Sequence, residues 1–287
     1  MSRAGPSSVA AGVAWLMTDM TLVTTMQVLV KIQGVTYPAI QLVFLRALIG
    51  LVAIAPLLWL RRHEIAAMRQ PGRNALRVAY NALALTLNFV ALAQLPIAMV
   101  NAIGFSRPLV TMALASVLLH EHVVRRRWVA GLCALLAACL IAYPMPQGGS
   151  AISLTGLVAA LGATLFGATA VVQTRALATE SPAVMMLFYT VGLAVLTAIP
   201  AIIVWRPVAS ADWPTLLAIG ILAQAGQYCF LRAYRSHEAS LLAPLSYLSI
   251  LLAAFAGWLA FGDRPGIGFP LGTLILLVVI RMLTRKG

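Results

Sequence analysis

A chain of 287 residues with 62% apolar and only 9% charged positions has too few polar groups to cover a water-soluble surface of ordinary size. Its formal charge of +13 would suit nucleic acid, but the basic residues collect between apolar runs, where they act as topology signals rather than as a nucleic-acid footprint. Soluble folds and nucleic-acid partners are therefore excluded as expectations, and membrane lipid is the expected surrounding.

In chain order, nearly polar-free runs of membrane-spanning length predict helices at 9–32, 37–60, 74–93, 97–119, 126–143, 153–174, 183–205, 213–231, 240–261 and 266–283, ten in all. The first run has a weak basic start and no small-residue cleavage site, so it reads as a retained span rather than a signal peptide. Fifteen Lys and Arg residues, among them Arg61, Arg69, Arg77, Arg125, Arg175 and Arg232, fall on the side of the N-terminus. Only Lys31, Arg206 and Arg264 fall on the other. That asymmetry predicts a multi-pass protein of the inner (plasma) membrane with both termini in the cytoplasm. Cys133, Cys139 and Cys229 lie in apolar runs without metal-ligand spacing and read as small core residues, so no metal or cofactor is expected.

The chain repeats itself. A constant offset of 144 lays Gly12 on Gly156, Lys31 on Arg175, Pro38 on Pro182, Phe44 on Phe188 and Pro56 on Pro200. Further on, at an offset near 141, "NFVALAQLPIA" matches "CFLRAYRSHEA", and "LLHEHV" lies over "AFGDRP" once one residue is inserted. The halves, 1–144 and 145–287, hold five predicted helices each; an odd number makes the second half enter the membrane upside down relative to the first. The connector "YPMPQGGSAIS", 143–153, reads as an exposed loop on the non-cytoplasmic face. The fold class expected is an all-α integral membrane protein of ten transmembrane helices in two inverted five-helix repeats.

"PAIQLVFLRALIGLVAIAPLL", "ALAQLPIAMVNAIGFSRPLVTMALASVLLHEHV", "GLCALLAACLIA" and the second-half echoes ending in "LAFGDRP" together resemble the ten-helix, EamA-type branch of the drug/metabolite transporter superfamily. The likeness covers essentially the whole chain and is similar to that of bacterial amino-acid exporters. It implies a central cavity, alternating access and efflux of small metabolites without ATP. In one respect the chain departs from internal symmetry: Arg46 of the first half falls on Thr190 of the second.

Three formal charges lie well inside predicted spans: Asp19, Arg46 and Arg107. Insertion scales assign roughly 2.5–3.5 kcal/mol to each at a helix centre, so none is expected to face lipid. Either Asp19 neutralises one arginine as a packing pair, or an arginine fork receives a substrate carboxylate while Asp19 balances charge or receives an amine. Arg46 reads as a substrate contact or a helix brace. Pro108, directly after Arg107, is expected to break or bend the fourth helix, and Pro244 occupies a similar part of the ninth; paired interruptions of this kind point to a midplane site. Asn74, Asn81 and Asn88 form a polar stripe on the third helix beside Tyr80, and Gln224, Gln227 and Tyr228 share a face of the eighth. These polar groups read equally as interhelical hydrogen bonds or as cavity lining, with Asn101 added to the candidate lining. Trp15, Phe166, Tyr80 and Tyr247 are candidate apolar walls. Glu121 and Asp263, after the fourth and ninth helices, read as gates or loop braces, and His63, His120, His122 and His237 as solvated ends.

The expected function is a secondary transporter exporting small molecules, foremost amino acids with apolar or aromatic side chains. Export of other metabolites or drugs and nucleotide-sugar carriage are the alternatives within transport. A lipid-modifying membrane enzyme would need a His/Asp/Glu cluster at one interface, and the acidic residues and histidines are scattered instead; a channel would need a continuous polar lining. A monomer is compatible with the sequence.

Overall fold

The computed structural model describes residues 6–66, 68–94, 97–141, 153–262 and 268–284. The regular elements among them are helical: α1 (Pro6–Gln33), α2 (Ala39–Leu60), the short α3 (Arg62–Ala66), α4 (Pro71–Gln94), α5 (Ile97–Gly104), α6 (Arg107–Leu118), α7 (Arg125–Ile141), α8 (Leu154–Ala176), α9 (Pro182–Ile203), α10 (Trp213–Ser236), α11 (Ala239–Leu245), α12 (Leu248–Phe261) and α13 (Phe269–Thr284), with a 3₁₀ turn at Ser210–Asp212. Six helical segments among the described residues are long and apolar enough to cross a membrane: Ala11–Gln33, α2, α8, α9, Ser210–Ser236 and Ala239–Phe261. α6 and α13 are shorter apolar helices. Val52, Ile203 and Leu259 stand three-quarters exposed, an arrangement stable in hydrocarbon and costly in water.

Local chemistry explains the boundaries. Ser181 caps α9, accepting from the Ala183 amide at 3.2 Å, and Pro182 opens the helix where no amide donor is needed. α12 ends on Gly262 at φ 70°, a left-handed cap that a side chain disfavours. The runs predicted as single helices at 97–119 and 240–261 are each broken in two, at Phe105–Ser106 and at Ser246–Tyr247. Pro108, the second residue of α6, has no amide to give the preceding turn, and Pro244 lies near the end of α11. Most of the predicted connector at 143–153 and Asp263 lie outside the described residues.

The chain divides into two compact units, residues 1–78 with 177–236 and residues 79–176 with 237–287, each drawing helices from both sequence halves. In the first unit α1 packs on α10, and α2 packs on α9 and α10. Tyr37, Leu42, Leu45, Leu216 and Ile219 fill one end of its core, and Ile54, Leu177, Met185, Met186 and Leu231 the other. At the first end Tyr37 donates to Asp212 Oδ2 at 2.6 Å and accepts from the Ala209 amide at 3.0 Å. Gln41 exchanges two hydrogen bonds with the Arg206 backbone, at 2.7 and 2.9 Å. These contacts strap the α1–α2 turn to the α9–α10 connection. The hydrogen bond to Asp212 also pushes the Tyr37 hydroxyl above its ordinary pKa, because ionisation would remove the donor.

In the second unit α7 packs on α13, and α6 packs on α8 and α11. Ala130, Ala134, Ala137 and Ala138 form a fully buried stripe on α7, small enough that a Cβ at Gly272 of α13 would stand 2.8 Å from the Ala137 carbonyl oxygen.

Two expectations are corrected. His237 is 5% exposed rather than a solvated end, and burial, followed by the nearby charge of Arg175, holds its imidazole below the ordinary value. Arg77, counted among the loop cations, is buried in α4 and donates to the Met185 carbonyl at 2.6 Å, because a main-chain oxygen of α9 receives it there. His63, His120 and His122 are exposed as expected.

Candidate functional site

The two broken helices carry matching local chemistry. Ser106 and Ser246 each turn their hydroxyl back onto the carbonyl three residues earlier, Ile103 and Ala243, at 2.6 Å. Arg107 follows the first serine and Tyr247 the second. The Tyr247 hydroxyl donates to the Phe105 carbonyl, so the acceptor freed by one break is satisfied from the other. Tyr247 is 2% exposed and thus joins the two breaks rather than walling an open space.

Arg107, at the start of α6, is exposed. Its guanidinium runs along α8 over Gly167: a Cβ there would lie 3.1 Å from Nε and 3.2 Å from Cζ. Glycine therefore makes a seat that any side chain would narrow. Phe166, the preceding residue of α8, stacks on Tyr80 of α4, ring centroids 6.0 Å apart and 20° from parallel. The second unit thus gathers Arg107 and an aromatic pair on the same turn of α8. Asn81 and Asn88 are half-buried on α4, and Asn101 is exposed on α5. Pro108 is half-buried and Pro244 buried.

Asp19 belongs to the first unit, where it is half-buried on α1. It too lies against a glycine: a Cβ at Gly226 of α10 would be 3.3 Å from Asp19 Oδ1. Asp19 and Arg46, both in this unit, do not pair. Arg46 donates instead to the Tyr189 hydroxyl at 3.3 Å and lies 3.8 Å from Met26 sulfur, bracing α2 against α9 and α1. Gln224 donates to Thr190 at 2.9 Å, and its Oε1 is buried without a partner, the kind of atom a ligand or water satisfies. Gln227 and Tyr228 are half-buried on the same helix. Trp15 meets Tyr228 edge-on at 6.0 Å, and Arg232 lies over both rings, at 5.5 and 5.8 Å.

Glu121 behaves as a brace. Its two carboxylate oxygens accept from the Ala239 and Ser240 amides at 3.1 and 3.0 Å, capping α11, and Arg175 lies 3.7 Å away. Glu180 braces the start of α4 with one oxygen, Oε1 accepting from both the Arg69 and Gln70 amides at 3.1 and 2.7 Å.

Sequence reasoning missed Arg232, Thr190, Gly167 and Gly226. Arg232 was within reach, since it continues the i, i+4 series of Gln224 and Tyr228. The two glycines carry no signal of their own in a chain rich in small residues.

A profile of the EamA-like transporter family matches residues 10–143 and again residues 154–285. The chain is 30% identical over 272 residues to the pseudopaline exporter CntI of Pseudomonas aeruginosa, covering 92% of this chain and 93% of that one. It is 28% identical over 240 residues to a riboflavin transporter of Rhizobium johnstonii, covering 83% and 78%. It is 23% identical over 274 residues to an S-adenosylmethionine uptake transporter of Rickettsia bellii, covering 93% and 90%. A crystal structure 18% identical to it superposes with a TM-score of 0.83 over 95% of this chain and 96% of the other, a likeness of fold.

Proposed function

The chain belongs to the EamA-like transporter family, and from that premise we propose that it is an inner-membrane secondary carrier exporting small zwitterionic metabolites, foremost amino acids with apolar or aromatic side chains. In this reading its ten spans form two inverted repeats, 1–144 and 145–287, both termini are cytoplasmic, and cargo crosses by alternating access.

One observation carries the reading. Arg107 is exposed on an apolar helix, where lipid would cost it roughly 2.5–3.5 kcal/mol, and it pairs with no carboxylate among the described residues. An exposed guanidinium under those conditions faces water and suits a cargo carboxylate, which it engages with two parallel hydrogen bonds. The Tyr80–Phe166 pair beside it suits an apolar or aromatic side chain. Asp19, unpaired among the described residues, receives the cargo amine or the coupling proton. The relative named as an exporter supports the outward direction. A second reading, export of a larger metabolite, is favoured by the differing cargoes in the relatives' names.

Counterflow into proteoliposomes preloaded with unlabelled amino acids, run across an amino-acid panel with Arg107→Ala and Asp19→Asn, tests this. Uptake that discriminates among amino acids and collapses in Arg107→Ala supports it. No uptake for any member of the panel removes the amino-acid reading. A carrier that still works in Asp19→Asn but ignores a pH gradient assigns Asp19 to the proton.

A further inference from the structure

The first unit holds a pocket of about 520 Å³, of small-molecule size, at the ends of α2, α9 and α10 beside α3. Four arginines line it, Arg61, Arg69, Arg232 and Arg235, against two carboxylates, Glu64 and Glu180. Both carboxylates are engaged within the chain. Glu180 is 4% exposed, and its Oε1 accepts from the Arg69 and Gln70 amides. Glu64 bonds Arg61 at 2.6 Å and accepts from the Ser181 hydroxyl, which holds its carboxyl below the usual carboxylate range. The pocket therefore keeps an excess of two positive charges, and the amino end of the 22-residue α9, at Pro182 and Ala183, adds its partial positive charge to the same wall. On the other wall Tyr228 offers a ring already carrying the Arg232 guanidinium at 5.8 Å.

We infer that this pocket is a docking site for soluble small molecules bearing two or more carboxylate or phosphate groups, a ligand other than the zwitterionic cargo assigned to Arg107. Arg69 and Arg232, both exposed and neither held in an ion pair among the described residues, supply the anion contacts. Tyr228 supplies a face for a planar part of that ligand. The same excess charge disfavours a cationic ligand here. The chemistry of this site does not depend on the carrier reading.

Anionic lipid headgroups share that chemistry, so the test separates the two sources. Full-length protein is placed in phosphatidylcholine nanodiscs, and citrate binding is measured by calorimetry at low and high salt. Wild type is expected to bind citrate, with affinity falling as salt rises. Arg69→Gln with Arg232→Gln should weaken it at least about tenfold, as expected on losing charge-assisted hydrogen bonds. Arg125→Gln, the same charge change at an exposed residue that does not line the pocket, should stay within about twofold because exposed charges are screened. Arg232→Lys, which keeps the charge, should retain salt-dependent binding and controls for misfolding. Equal binding by wild type and the double variant overturns the proposal. So does absence of citrate binding, and if phosphatidylglycerol is then retained through purification by wild type and lost from the double variant, the pocket is a lipid site. Because the readout is equilibrium binding, Arg-dependent citrate affinity beside failed counterflow would remove the amino-acid reading and leave this site standing.

Discussion

The hydroxyl of Tyr247 donates to the main-chain carbonyl of Phe105, so the interruption of one apolar helix is satisfied by a side chain from the interruption of another. A carbonyl freed from its helix must find a donor when water is scarce, and this one finds it on the residue that follows Ser246 as Arg107 follows Ser106. The two breaks are thereby one structural element, with Arg107 projecting from it. Tyr247→Phe removes the donor alone and should cost about 1–2 kcal/mol. A fall of a few degrees in the thermal midpoint of the purified protein is expected; an unchanged midpoint would mean the bond contributes nothing.

Gly167 should prove as important as Arg107. Alanine there would approach the guanidinium to 3.1–3.2 Å, and a larger residue would displace it. Gly167→Ala is expected to weaken cargo affinity a few fold and Gly167→Val to mimic Arg107→Ala, with expression and size-exclusion profile unchanged. Counterflow at full wild-type rate in Gly167→Val would show that the seat is irrelevant.

Glu121→Gln keeps one acceptor for α11, turns the other into a donor, and loses the charge facing two amides and Arg175; about 0.5–2 kcal/mol of stability should go with it. Glu121→Ala should cost more, since both amides then lose their partner. Thermal melts of the pair against wild type check the order.

His237 makes stability depend on pH. Its folded pKa is depressed, so the unfolded chain binds the proton more readily once the pH drops below the ordinary 6.5. Stability from this residue is therefore complete above that value and declines as the pH falls toward the folded pKa. His237→Gln should flatten the thermal midpoint between pH 7 and pH 5 relative to wild type.

Much of this was legible in the sequence because hydrocarbon leaves a strong mark. Apolar runs located the helices to within a few residues at most ends, and Pro108 and Pro244 pointed to the breaks, since an absent amide is a property of the residue itself. Glu121 was readable as a gate or a brace from its place just past a helix end, and its hydrogen bonds to the start of α11 are those of a brace. Partner choice was less legible. Arg46 could have met Asp19 by charge alone, yet it reaches Tyr189 and Met26, because the packing of α2 on α9 fixes what lies within its span. His237 and Arg77 were misplaced because residues at a helix boundary are solvated or buried according to which neighbour covers them, a tertiary matter. Gly167 and Gly226 act by lacking a side chain, and only the atoms around them reveal it.

Competition tests whether Arg107 receives a cargo carboxylate. Counterflow of the preferred amino acid is inhibited with the unlabelled acid and, separately, with its carboxamide, in wild type and in Arg107→Ala. Wild type should favour the acid by about tenfold or more, the worth of a charge-assisted pair, and the variant should treat the two alike. Equal inhibition by acid and amide in wild type would mean that Arg107 does not receive the carboxylate.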